Sequence, residues 1–223
     1  MLTLLTACPR PYPPPLPPES FNFVFPDTPG GSDLRLAAIY FEQATPTAQA
    51  AVKVLATGYI GNYGSASVNT ATLSIYGENL NILKSNAACV LPFKTGELRD
   101  FQYVMVTPDT VKTCNVYFSV FRDVNGDGVP QSTEELFITQ DVYSYASSAF
   151  TFSATCPDGR STYTGSRANG WSLVRHEVLQ PADTPDRFLV SMNSVPTTDL
   201  GIAIRMHAES DFLTSMGVKR GLK

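Results

Sequence analysis

Histidine is nearly missing: only His176 and His207 occur in 223 residues, which argues against a multi-histidine copper or zinc centre. Charge is also sparse. Lys, Arg, Asp and Glu make up 16% of the chain, and a formal net charge of -4 leaves no basic excess for neutralising phosphates. Nucleic acid is therefore not an expected partner. No apolar run approaches the roughly 18 residues that a membrane helix requires. No CxxC pair or Cys/His spacing suggests zinc. The sequence also has no GxSxG, HExxH, GxxxxGKS/T or strand-to-helix GxGxxG, so no enzyme activity is expected. Carboxylates are plentiful, but the pairing that glycoside hydrolysis needs is a three-dimensional fact that spacing does not supply.

What is present favours strands. Thirteen Phe and ten Tyr accompany abundant Thr, Ser and Val, residues that suit pleated and half-buried surfaces. Apolar residues alternate at Val52, Val54 and Ala56; at Ala71, Leu73 and Ile75; and at Phe101, Tyr103 and Met105. The same period runs through Cys114, Val116, Phe118 and Val120, then Leu136, Ile138 and Val142, then Phe150, Phe152, Ala154 and Cys156. It returns at Phe188, Val190 and Met192 and at Leu200, Ile202, Ile204 and Met206. Segments 21–25 and 34–41 could add strands, and 44–51 and 210–217 could hold short peripheral helices. GNYG (61–64), CPDG (156–159), GSRANG (165–170) and QPADTPD (180–186) punctuate the pattern as turns. Many short strands with one apolar face each predict an all-β fold: a two-sheet antiparallel β-sandwich occupying 21–223 as a single domain.

The N-terminus reads MLTLLTACPRPYPPPLPP. Leu5-Thr6-Ala7-Cys8 resembles a bacterial lipoprotein lipobox, in which the signal is cleaved before a cysteine whose sulfur then takes a diacylglycerol. The resemblance implies that 1–7 is residual signal and that Cys8 is the lipid-attachment residue. Acyl chains hold such a protein at about 0.8 kcal/mol per buried methylene without any spanning helix. Residues 8–20 then form a tether, rich in proline and suited to extended polyproline II geometry at about 3.1 Å per residue. The expected localisation is the cell envelope, at the outer membrane or cell surface.

Between two of the alternating segments lies DVNGDGVPQSTE, Asp123 to Glu134. Asp123, Asn125, Asp127, Gly128 and Glu134 fill positions 1, 3, 5, 6 and 12 of a calcium loop, with the carbonyl of Val129 available at position 7. Three short oxygen-bearing side chains, a glycine at the sharp turn and a closing glutamate are what a hard cation needs, and calcium is the expected cofactor. The flanks alternate with period two, and Pro130 lacks the amide that paired EF-hands use at position 8. The segment thus resembles the DxNxDG loops of secreted bacterial β-domains, which implies a structural calcium site at a hairpin tip.

With Cys8 assigned to lipid, Cys89, Cys114 and Cys156 allow one disulfide and leave one thiol over. Cys89 with Cys114 is the preferred pair, with Cys156 as the competing partner. His207, opposite Ile202, Ile204 and Met206, is expected at a solvated rim. His176, on the face of Val174 and Val178, is expected to be half-buried and hydrogen-bonded. Trp171, Tyr163 and the Tyr143/Tyr145 pair lie in or near expected loops and could stack on a sugar or a partner, although packing explains such aromatics more often. Tyr143 and Tyr145 share a side with Phe137; exposed, that stripe would mark an interface, and covered, it would be core. The expected role is binding or scaffolding as a peripheral component of a surface-layer or envelope assembly. Its partners would be membrane lipid through Cys8 and an envelope or surface-layer protein. The alternative is a calcium-stabilised carbohydrate-binding module with a glycan ligand, and a hydrolase comes after that.

Overall fold

A computed structural model describes residues 16–43, 50–60, 67–195 and 201–208, together with the backbone of 218–220. The lipobox with Cys8, most of the proline tether, the GNYG turn, the segment read as a helix at 210–217 and residues 44–49 of the one read at 44–51 lie outside the described residues; of the latter, Ala51 is strand. The chain is built of strands: β1 (Glu19–Thr28), β2 (Leu34–Glu42), β3 (Ala51–Tyr59), β4 (Val68–Ile75), β5 (Leu91–Pro92), β6 (Gln102–Thr107) and β7 (Lys112–Arg122). There follow β8 (Glu135–Ile138), β9 (Val142–Ala146), β10 (Phe150–Thr155), β11 (Ser161–Arg167), β12 (Gly170–Gln180), β13 (Phe188–Ser194), β14 (Ile204–Arg205) and β15 (Val218–Arg220). Among the described residues one short helix, α1 (Gly77–Leu83), follows β4 and buries Leu80 and Leu83.

Two open sheets result, as the alternation predicts. The smaller has the order β14-β1-β4; the larger runs β3-β2-β7-β9-β12-β13-β11-β10-β6, with β5 and β8 on β7 and β15 on β12. Most pairings are antiparallel, but β1 with β14, β11 with β13 and β12 with β15 are parallel, so the sandwich is mixed rather than purely antiparallel. Strands distant in sequence come to lie side by side through these pairings, a relation that local periodicity does not encode.

Strand β7 shows why the larger sheet carries apolar packing on both faces. Cys114, Val116, Phe118 and Val120 are buried and belong to the main core. That core is closed by Phe21 and Phe23 of β1, whose rings lie 5.3 and 5.0 Å from Phe118. The alternate residues of β7 point the other way. There Phe121 packs with Ala37 and Ile39, and Thr113 lies opposite Ala146, a member of a second core made by Phe93, Leu98, Val111, Phe150, Phe152 and Ala154. The segment from Phe93 to Phe101 covers that second core, and Arg167 is buried among its rings.

The facing of residues changes in β6 and at His207. In β6 the expected face was Phe101, Tyr103 and Met105, yet Tyr103 and Met105 are exposed while Phe101, Val104 and Val106 pack on the second core. The cause is local. Tyr103 has φ 51° and the register with β10 slips between Ser153 and Thr155, so an irregularity inverts the strand's two faces. His207 was expected at a solvated rim but is buried, because its backbone bridges Ile138 in both directions and draws it under β8.

Candidate functional site

The acidic loop occupies the tip of the hairpin formed by β7 and β8, where Ser119 lies opposite Ile138 and Phe121 opposite Glu135. Strand, loop, strand is therefore the local architecture. Gly126 and Gly128 have φ of 77° and 72°, conformations that a Cβ disfavours. Short side chains then fold back on the backbone: Asp127 N–H donates to Asn125 Oδ1, Val129 N–H to Asp127 Oδ1 and Gly128 N–H to Asp123 Oδ1. Glu134 closes the loop by accepting from Val124 N–H through Oε1, which places its carboxylate beside the first loop residue.

Asp123 and Glu134 are buried, and the remaining oxygens, Asp123 Oδ2 and Glu134 Oε2, have no hydrogen-bond partner of proper geometry. Arg35 from β2 sets its Nε against Asp123 Oδ2 as an ion pair. Asp127 behaves differently: its Oδ2 accepts from Asn125 Nδ2 and Gln131 Nε2 at the surface. Among the described residues no three His, Cys, Asp or Glu side chains are gathered closely enough to hold an ion: Asp123 and Glu134 each fold back on a loop amide, while Asp127 Oδ2 turns to surface amides. The donor set still suits a hard cation: Asp123, Asn125, Asp127 and Glu134 all offer oxygen, and the buried Glu134 Oε2 has no hydrogen to accept. The Asp123 carboxyl feels burial that opposes its charge, but the amides of Gly128 and Gly126 and the Arg35 guanidinium outweigh it and hold the group below its usual range. Arg35 itself is missed by a local reading because it is contributed by another strand.

Cys89 and Cys114 form the disulfide, and Cys156 is the remaining thiol among the described cysteines. The preferred pairing thus stands over the competing one. Tyr143 stacks on Trp171 at 5.2 Å and meets Phe21 edge-on at 4.8 Å, while Phe137 stacks on Phe25. The aromatic stripe is therefore core. Trp171 and Tyr163 lie within β12 and β11 rather than in loops, and Trp171 packs against the main core.

His176 is more buried than the half-buried position expected of it, and its backbone N–H donates to Asp141 Oδ1. Asp141 is fully buried and accepts from Arg175 Nη1 at 2.6 Å, while its own N–H donates to Thr139 Oγ1. Burial pushes the His176 imidazole down; Asp141 opposes that shift and His207 adds to it. A group whose folded value lies below its unfolded one favours the fold above the unfolded value, near 6.5, and that advantage is lost as pH falls through the folded value. Melting temperature should accordingly fall as pH drops from about 7 to 5, and His176→Gln should flatten that part of the profile. Equal pH slopes for parent and variant would refute the assignment.

A feature that local motifs do not mark lies on the second face of β7. Thr113, Asn115 and Tyr117 line a half-open cleft of about 560 Å³ with Phe41, Glu97 and the disulfide. No protein-family model matches the chain, and neither does any curated protein or solved structure.

Proposed function

We propose that this protein is a lipid-anchored component of a cell envelope, held by Cys8 and a proline tether, whose β-sandwich carries a structural calcium ion in the 123–134 loop and serves in binding or scaffolding. In this reading it is a peripheral part of a surface-layer or envelope assembly. The observation that carries the calcium reading is the buried Glu134 Oε2, which has no hydrogen-bond partner, together with a buried Asp123 whose Oδ2 is met by Arg35 alone, at a hairpin tip of calcium-loop spacing. Asp123, Asn125, Asp127 and Glu134 would supply side-chain oxygens and Val129 its carbonyl. Binding would gather Asp127 to the other two carboxylates and compete with Arg35 for Asp123. The Cys89–Cys114 disulfide adds support for the compartment, since such bonds persist in oxidising surroundings.

A lone loop between two paired strands has no helices to swing apart, which favours a clasp over a sensor. With a dissociation constant of about 10⁻⁴ M, millimolar calcium stabilises the fold by roughly 1.4 kcal/mol through mass action. Thermal melts of the full chain with calcium and with chelator test this. Chelation should lower Tm, and Asp127→Asn should abolish the difference; superimposable melts of the parent would end the calcium reading. Anchoring is tested separately by fractionation. Cys8→Ala should move the protein from the membrane fraction to the soluble one, and the parent should co-purify with envelope proteins after gentle solubilisation.

A further inference from the structure

The cleft on the second face of β7 exists because two strands share one edge of β7 and do not meet. The register of β2 with β7 ends at Ile39 opposite Tyr117, and that of β5 begins with Leu91 opposite Thr113. Cys114, Asn115 and Val116 lie in the interval. Side chains then close the space: Phe41 at the end of β2, Leu91 and Pro92 of β5, the Cys89–Cys114 disulfide, and Glu97 from the segment that covers the second core.

The charges of this cleft are matched within the protein. Glu97 accepts from Arg167 Nη2 at 2.8 Å and from Arg167 Nη1 and Thr113 Oγ1 through its other oxygen. At the rim, Arg99 pairs with Asp100 at 3.3 Å. No net charge calls for an ionic ligand. Polar capacity nevertheless remains. Asn115 Oδ1 is buried and accepts no hydrogen bond, while Asn115 Nδ2 donates to the Tyr117 hydroxyl at 3.4 Å. The Tyr117 hydroxyl accepts there, so its own hydrogen is available to donate. Burial and the neighbouring Glu97 carboxylate push its ionisation up, which keeps that hydrogen in place. Apolar surface lies beside these groups: the Phe41 and Tyr117 rings meet edge-on at 5.3 Å.

We propose that this cleft binds a neutral saccharide unit, with a ligand hydroxyl donating to Asn115 Oδ1, another accepting from the Tyr117 hydroxyl, and the apolar face of the sugar ring against Phe41. A saccharide presents donors, acceptors and C–H faces on one uncharged frame, which matches a charge-balanced cleft with one orphaned acceptor and one available donor. The volume lies within the range of about 300–1,000 Å³ typical of small-molecule pockets. The site is separate from the calcium loop and from Trp171, so it stands or falls independently of the function proposed above.

Saturation-transfer NMR and calorimetry on the full chain, in calcium and in chelator, test it. The probes are methyl glycosides of glucose, galactose, mannose and N-acetylglucosamine and the disaccharides maltose and cellobiose, with spermidine and citrate as charged comparators. At least one sugar should bind, and Tyr117→Phe and Asn115→Ala should each weaken it by about tenfold, the cost of one lost hydrogen bond to a buried group. Phe41→Ala, at a partly exposed position, supplies a third variant that leaves both cores intact, and it should weaken binding likewise. Saturation transfer to none of the six sugars would overturn the proposal. So would sugar binding indifferent to Tyr117→Phe and Phe41→Ala, or binding of spermidine or citrate alone.

Discussion

Arg167→Met should cost the folded state about 3–5 kcal/mol, the range found when one partner of a buried ion pair is removed. Arg167 is 2% exposed, and its guanidinium lies over the Phe93 ring at 4.9 Å, with Phe150 and Phe152 each at 5.8 Å. Its hydrogen bonds go to both Glu97 oxygens and to Ser144 Oγ. Methionine keeps much of the apolar volume, so the loss falls on Glu97, which remains in a largely buried position with only Thr113 as a donor in the cleft. For a chain of this size the stability change corresponds to a fall in Tm of roughly 10 °C. Glu97→Gln in the Arg167→Met background should recover part of the loss, because the uncompensated charge is then gone. A double-mutant cycle from urea melts reads this directly. Stability of Arg167→Met within 1 kcal/mol of the parent, or no recovery in the double variant, would show that the pair does not hold the two elements together.

Arg167 also marks where a sequence stops being informative. Its neighbours in the chain, SRANG, read as a turn, and nothing nearby indicates burial among phenylalanines. Glu97 is 70 positions away. By contrast, Cys114, Val116, Phe118 and Val120 announce a buried strand face because alternation is a local property of a pleated chain. The acidic loop was legible for the same reason: its ligands and its glycines all lie within twelve residues, and the strands on either side revealed a hairpin tip. Arg35, which faces Asp123, was not, since it arrives through the pairing of β2 with β7. Tyr103 shows the opposite failure. Its alternation was read correctly as strand, but a single positive φ reversed the face it predicts. In TCNVYFSVF the polar alternates Thr113, Asn115 and Tyr117 lie on the second face of β7. That the face would be open at Asn115 followed only from where two other strands end.

Breaking the Cys89–Cys114 disulfide should cost roughly 3.5 kcal/mol, the loop-closure value for a crosslink spanning 25 residues. The chain between the two cysteines carries β5, the cover of the second core and β6, so the crosslink restricts the unfolded form of elements that otherwise rest on few strand pairings. Both cysteines are buried members of the main core. Reduction should therefore loosen the segment from Val90 to Phe101 first, and with it Glu97 at the cleft. Melting the parent in reducing agent should lower Tm by roughly 10 °C, while Cys89→Ala/Cys114→Ala should start at the lower value and show no further response. Thiol titration of the unfolded parent should gain two groups on reduction. Parent melts that coincide with and without reductant, once that gain of two thiols is verified, would remove the crosslink from the list of what holds the sandwich together. If the cleft binds sugar, reduction should weaken that binding as well, because one wall of the site and the segment bearing Glu97 are both fastened by the same bond.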